Sequence, residues 1–205
     1  MNSKDFFETI YSAREPNDTR AIYDEWSETY DASVNGQGYA TPARCAAALA
    51  SIAKDKTSPI LDFGCGTGIS GLALRNEGFT VIDGCDLSQA MIAKAKERNI
   101  YRNLWQCGST SDFRLPHGSY SQITAVGAIG LGAAPIDAFD VLFELLPPGG
   151  SITLSFNDHT LKDPHYEARI AEYTDTCAGT VQFKEYGEHL PGLDISSTVY
   201  VIAKK

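Results

Sequence analysis

Residues 61 to 71 read LDFGCGTGISG, which sets Gly64, Gly66, Gly68 and Gly71 inside eight positions, directly after the apolar pair Ile60-Leu61. Residues without a Cβ at that density let the backbone bend sharply and let another group come close to it. Asp86 follows 18 residues after Gly68. A glycine turn between a strand and a helix presents backbone N–H groups and a positively polarised helix N-terminus to a ligand. A carboxylate at the end of the next strand can accept hydrogen bonds from both hydroxyls of a ribose. Gly66, Gly68 and Gly71 satisfy G-x-G-x-x-G, a weak pattern by itself, and packing of the following helix is an equal reading for Gly71. Asp86 could instead supply charge to a helix starting near Ser88; the ribose reading is preferred because Ser88 already provides the cap. Asp62, two residues before Gly64, is placed to hold the turn's amides or to face a ligand's ammonium group.

The elements around these residues alternate. Short apolar stretches at 60–63, 79–86, 103–107, 120–130 and 147–157 read as strands. TGISGLALRNEG, LSQAMIAKAKERN, PIDAFDVLFELL and DPHYEARIAEYTDTCAG read as helices among them. TVQFKEYG and ISSTVYVIAKK follow as two strands joined by a loop, EHLPGLD, with no helix between. Alternating strands and helices imply a parallel sheet covered on both faces, and the last pair implies one reversed strand. The expected fold is α/β, a doubly wound Rossmann-like, mostly parallel seven-stranded sheet with an antiparallel C-terminal strand and an N-terminal helical extension. In that extension TRAIYDEWSETYDA and TPARCAAALASIAK read as helices, the second with Thr41 as N-cap and Pro42 at the first helical position. One domain over 1–205 is expected, with 1–55 as a helical cap segment and 56–205 as the cofactor-binding core.

At 205 residues with 43% apolar and 21% charged residues, the composition is that of a globular protein. The net charge of −9, without a basic patch, argues against nucleic acid partners. No run reaches the roughly 18 to 20 apolar residues of a membrane helix. The charged N-terminal stretch lacks the apolar core of a signal peptide. The five cysteines are odd in number and widely spaced, which fits reduced thiols and a cytoplasmic location. Neither they nor the four histidines show metal-ligand spacing, so no metal is expected.

A glycine turn with a ribose acid serves either a nicotinamide or flavin dinucleotide or S-adenosylmethionine. The second is favoured by the absence of a following substrate domain, by the paired C-terminal strands, and by Asp62. ILDFGCGTG, VIDGCDLSQAMIAKAKE and LLPPGGSITLSF together resemble the first, second and fifth-strand signatures of class I S-adenosylmethionine-dependent methyltransferases. IYDEWSETYD, GYATPAR, VGAIGLGAAP and STVYVIAKK are similar, more loosely, to the methyltransferase-like proteins named for the Williams–Beuren region. The resemblance implies that Gly64, Cys65, Gly66 and Gly68 line the methionine part of the cofactor, with Thr67 among the cofactor-binding residues of the same turn. It places Asp86 at the ribose and Leu87 and Met91 against adenine, with Ser88 also among the cofactor-binding residues. Ser109 or Thr110 stands where the family usually has an acid for the adenine amino group, and Ser121 where it commonly has Asp.

Methyl transfer from a sulfonium is an in-line displacement whose leaving group becomes neutral. Most of its rate can come from holding the acceptor about 3 to 3.5 Å from the methyl carbon. Aromatic faces favour the sulfonium. Tyr11, Tyr23, Trp26, Tyr30 and Tyr39 precede the glycine turn. Tyr30 and Tyr39 are the preferred cofactor contacts, Tyr23 is a candidate catalytic group, and Trp26 reads as core. His159, after the fifth strand, is the other candidate base, against the plainer reading of a solvated loop histidine. Gly127, Gly130 and Gly132 thin the end of the fourth strand, where either a ligand or a packed chain approaches. The sequence supports methyl transfer to a small-molecule acceptor without nucleic acid or membrane, with oligomeric state unknown. A cofactor-binding module without turnover and an NAD(P)-dependent oxidoreductase are the alternatives.

Overall fold

The computed structural model describes residues 16–108, 113–115 and 117–205. Three helices come first: α1 (Pro16–Trp26), α2 (Tyr30–Asn35) and α3 (Thr41–Ile52). Strand β1 (Ile60–Phe63) enters the glycine turn, followed by α4 (Ile69–Asn76), β2 (Ile82–Asp86), α5 (Gln89–Glu97) and β3 (Asn103–Gln106). Next come β4 (Gln122–Ala125), α6 (Asp137–Leu145), β5 (Ser151–Asn157), α7 (Asp158–Leu161) and α8 (Pro164–Asp175). The last pair is β6 (Gly179–Leu190) and β7 (Ile195–Lys204), joined by a short 3₁₀ turn, Pro191–Leu193.

The sheet has seven strands in the order β3-β2-β1-β4-β5-β7-β6. The first five run parallel, and β7 lies antiparallel to both β5 and β6. This is the expected architecture, with its single reversed strand. All four residues of β1 are buried, as a central parallel strand covered on both faces requires. One face packs Leu61, Phe63, Ile123 and Leu154 against Phe139 and Phe143 of α6 and Ile170 of α8. The other packs Ile60 and Ile82 against Ala46 and Leu49 of α3 and Leu74 of α4. Each large side chain so buried stabilises the fold by about 1.5–3 kcal/mol. Chain order reverses between β1 and β4, which opens a crevice at their carboxyl ends.

Four local expectations need correction. The helix expected across TRAIYDEWSETYDA is broken at 27–29, where the Ser27 hydroxyl donates to Asp24 O at 2.9 Å and competes with the helical ladder. Thr41 does not cap α3; it is the first helical residue, after Ala40, and its hydroxyl is engaged by His189 Nδ1 at 2.8 Å and Ser197 Oγ at 2.9 Å. Strand β4 stops at Ala125, well short of 130, because Gly127, Gly130 and Gly132 adopt φ of +62°, +154° and +76°. Strand β6 runs on through Glu188, His189 and Leu190, residues expected to be loop, because β7 pairs along it. No helix among the described residues is long and apolar enough to cross a membrane.

Candidate active site

The turn after β1 holds Gly64 at φ +66°, Gly66 at +52° and Gly68 at +87°. Each glycine answers to a different neighbour. A Cβ on Gly64 would lie 2.4 Å from the Cβ of Ala128, so this end of the turn is pressed against the segment after β4. A Cβ on Gly71 would lie 2.3 Å from the Tyr101 hydroxyl, which makes Gly71 a packing glycine. A Cβ on Gly66 would meet nothing within 4 Å. Gly66 therefore borders open space, and its freedom serves the backbone bend and whatever occupies that space.

Asp86 ties the turn to the second helix. Its Oδ2 accepts from Gly66 N–H at 2.8 Å and its Oδ1 from Ser88 N–H at 2.8 Å. Ser88 Oγ in turn accepts from Met91 N–H at 3.0 Å, the N-cap the sequence indicated. The cap-like role of Asp86 is thus present alongside its position in the crevice. Burial raises the Asp86 carboxyl above the ordinary range, opposed by those backbone N–H groups.

Asp62 departs from expectation. It is fully buried beneath α4 and accepts from Ser70 Oγ at 2.7 Å, Tyr101 OH at 2.7 Å and Thr124 Oγ1 at 3.0 Å. It touches hydroxyls in place of the turn's amides and does not line the crevice. Burial pushes its carboxyl up to about 6, against the pull of the three hydroxyls.

The crevice is a cavity of about 430 Å³, within the range of small-ligand sites. Phe63, Gly64 and Gly66 form one side, with Asp86, Leu87, Ser88 and Met91 from the β2 end. Cys107 and Gly108 close the β3 end; Val126, Gly127, Ala128 and the start of α6 close the β4 end. Thr19, Arg20, Tyr23, Tyr30 and Tyr39 cover it from the N-terminal segment. The structure thus brings Tyr23, Tyr30, Tyr39, Gly64, Gly66, Asp86, Leu87, Ser88, Met91 and Gly127 together around one space. It leaves Asp62, Cys65, Thr67, Gly68 and His159 off the wall. Cys65 is buried behind the turn, and Gly68 backs onto Arg98 and Tyr101. Thr67 donates to Asp31 Oδ1 at 2.5 Å. His159 lies on α7, beyond the cavity, where burial lowers its ring pKa. Ser109, Thr110 and Tyr11 lie outside the described residues. Trp26 is buried, edge-on to Tyr30 at 4.6 Å, as a core residue should be. Gly130 packs on Thr160 Oγ1, so there a chain is what approaches; Gly127 faces the Tyr39 hydroxyl.

Sequence reasoning missed Arg20 and Cys107. Arg20 carries the one cationic side chain among the described lining residues, three positions before Tyr23 on the same helical face. That spacing was the available signal. The N-terminal segment is fastened over the cavity by three acids, Asp24, Glu28 and Asp31. Asp24 accepts from Ser88 Oγ, Glu28 pairs with Lys94 at 3.0 Å, and Asp31 pairs with Arg98. The Glu28 pair is exposed, so water and salt screen it and it adds little to the hold.

A methyltransferase domain family model matches residues 60–150. The chain is 29% identical over 150 residues to human methyltransferase-like protein 27, covering 72% of this chain and 61% of that protein. It is 30% identical over 131 residues to the 18S rRNA (guanine(1575)-N(7))-methyltransferase of Saccharomyces cerevisiae, covering 56% of this chain and 47% of that one. The chain thus spans about half to three-fifths of the length of these relatives. In fold it is similar, at TM-score 0.67 and 16% identity, to a chain of the complex between the Haloferax volcanii Trm112 methyltransferase activator and its candidate methyltransferase. That match covers 91% of this chain and 97% of the other.

These similarities correct one expectation. The acidic composition was read as excluding nucleic acid, yet one relative is an enzyme named for an rRNA guanine. A net charge is a sum over the whole surface and does not fix the potential at one cleft, so nucleic acid stays open as a partner. From the glycine turn and ribose-side acid to the sheet order, the features agree: residues 60–150 match a methyltransferase domain, and the chain is similar to methyltransferases in sequence and in fold.

Proposed function

We propose that the protein transfers the methyl group of S-adenosylmethionine to an acceptor within this cavity. The observation that carries the proposal is the open space at Gly66, bounded by the Asp86 carboxylate on one side and by three tyrosines on the other. The donor set suits the cofactor. Asp86 keeps lone pairs for ribose hydroxyls after accepting two backbone N–H groups. Leu87 and Met91 offer an apolar bed for adenine, and Tyr23, Tyr30 and Tyr39 offer aromatic faces to the sulfonium. Arg20 is the cation suited to the methionine carboxylate.

We further propose that 1–205 act as one unit in which the segment up to residue 55 caps the cofactor core. The contacts of Asp24 and Asp31 with Ser88, Thr67 and Arg98 support this. A cytoplasmic location fits the five unpaired thiols. The acceptor group, whether free or carried on a larger molecule, must be small enough to pass Tyr23, Tyr30 and Tyr39. A neutral leaving group removes the need for an oxyanion site, so positioning supplies most of the rate. Tyr23 is the wall residue that could take a proton if the acceptor must lose one.

The test is transfer of labelled methyl from S-adenosylmethionine to two sets of acceptors, a metabolite panel and ribosomal RNA. Product in either set supports the reading. Tight cofactor binding with no product in both, with the activity also absent when the chain is tested with cell extract, would favour a binding module.

A further inference from the structure

Three of the five cysteines converge at one end of the cavity. Cys65 lies in the glycine turn, Cys85 in β2 and Cys107 just past β3. Cys85 pairs in register with Trp105, and Cys107 N–H donates to Asp86 O at 2.9 Å. Side chains two residues apart on a strand share a face. Cys85 and Cys107 therefore project to the same side of the sheet, one diagonal step apart on neighbouring strands. Each thiol perturbs the other, with Cys85 acting as donor toward Cys107. Their environments differ. Cys85 is fully buried in the core, whereas Cys107 is half-buried and forms part of the cavity wall. The Cys85 hydrogen bond lowers the Cys107 thiol below its ordinary value and holds Cys85 well above it. An accessible, acidified thiol beside a buried second thiol is the arrangement of an oxidisable cysteine with its resolving partner.

We propose that Cys107 is a peroxide-reactive site that closes a disulfide with Cys85 and thereby shuts the β3 end of the cofactor cavity. The Cys107 thiolate attacks one oxygen of hydrogen peroxide; the S–O bond forms, the O–O bond breaks, and hydroxide departs and is protonated to water. The Cys85 sulfur then attacks the sulfenic acid; the S–S bond forms, the S–O bond breaks, and the Cys85 proton leaves with the hydroxyl as a second water. Two thiols lose two electrons, and one peroxide becomes two waters. The bond draws Cys107 inward and pulls on Asp86 through the Cys107 N–H. Asp86 also holds Gly66 and Ser88, so one closure disturbs three wall positions. A bound adenosyl ligand covers Cys107 and protects it. The predicted effect on ligand affinity rests on the function proposed above; the disulfide itself does not.

The experiment treats the full chain carrying Cys177→Ser, which removes the exposed thiol, with hydrogen peroxide, with and without S-adenosylhomocysteine. Trypsin cuts at Lys94 and Arg102, between the two cysteines, so a cross-linked peptide pair reports the bond. The expected result is a mass loss of about 2 Da for two hydrogens, mapped to Cys85–Cys107. Weaker S-adenosylhomocysteine binding, by about tenfold for the loss of a hydrogen bond or two, should accompany it. Dithiothreitol should restore the affinity, and the ligand should slow the oxidation. In Cys85→Ala, Cys107 should go on to sulfinic acid with no cross-link. Recovery of Cys107 as a free thiol at peroxide doses that oxidise Cys177 in the unsubstituted chain overturns the proposal. So does a mapped disulfide that leaves affinity unchanged. If the reduced protein binds no S-adenosylhomocysteine, the proposed function fails, and the peptide map still decides the disulfide.

Discussion

Substituting alanine at Gly64 and at Gly66 should give two different failures, although the residues lie two apart in one turn. Both have left-handed φ, +66° and +52°, so an L side chain costs about 1–2 kcal/mol at either. At Gly64 the new methyl would also stand 2.4 Å from the Ala128 Cβ. Forcing that contact apart adds about 1–3 kcal/mol. Gly64→Ala should therefore lose about 2–5 kcal/mol, a large share of the 5–15 kcal/mol typical of a domain. At Gly66 the methyl meets nothing within 4 Å, so Gly66→Ala should lose only about 1–2 kcal/mol of stability. Its methyl enters the cavity, however, and should weaken S-adenosylhomocysteine binding by about tenfold or more, a loss of about 1.4 kcal/mol. The decisive variant is Gly64→Ala with Ala128→Gly, which removes the clashing methyl and keeps the backbone strain. Urea unfolding of the four proteins of that cycle should show a favourable coupling of about 1–3 kcal/mol. Zero coupling, or Gly66→Ala with undiminished affinity, would refute the assignment of one glycine to packing and the other to the ligand.

Asp86→Ala should weaken cofactor binding by about 1.5–3 kcal/mol, as expected for hydrogen bonds to a charged group; unchanged affinity in calorimetry would remove its ribose role. Arg20→Gln should weaken S-adenosylhomocysteine and leave 5′-methylthioadenosine, which has no carboxylate, unaffected; equal loss for both ligands would refute the pairing. Two buried groups should shape stability against pH in opposite directions. Burial lowers His189 to about 4, below its unfolded value, so its contribution is present above about pH 6.5 and is lost as pH falls toward 4, about 3 kcal/mol in all. Burial raises Asp62 to about 6, above its unfolded value, so its contribution is full below about pH 4 and is lost as pH rises to 6, again about 3 kcal/mol. Between pH 4 and 6 the two oppose, so His189→Gln should gain stability relative to the parent as pH falls from 6 to 4, and Asp62→Asn should do the reverse. Unfolding curves that stay parallel across that window would contradict both assignments.

The parts of the site that were legible in the sequence are local ones. The strand, glycine turn and helix from Ile60 to Asn76 sit within one stretch, and Asp86 follows at the distance one helix and one strand require. Ser88 caps its own helix. These features depend on neighbours in sequence, which composition and spacing report. What was not legible depends on partners far along the chain. His189 looked like a loop residue, but Thr41, 148 positions away, meets its ring, and β7 pairs beside it. Asp62 looked like a ligand group because it adjoins the glycines; Tyr101, 39 positions on, claims it instead. Cys107 carried no local signal at all, since its neighbour Cys85 reaches it only through the β2–β3 register.

Isothermal titration with S-adenosylhomocysteine and, separately, NAD discriminates between the two ligands that a glycine turn and a ribose acid could serve. Saturable one-to-one binding of the first, abolished or sharply weakened by Asp86→Ala, with no heat from the second, is the predicted result. Binding of NAD with none of S-adenosylhomocysteine would contradict the account.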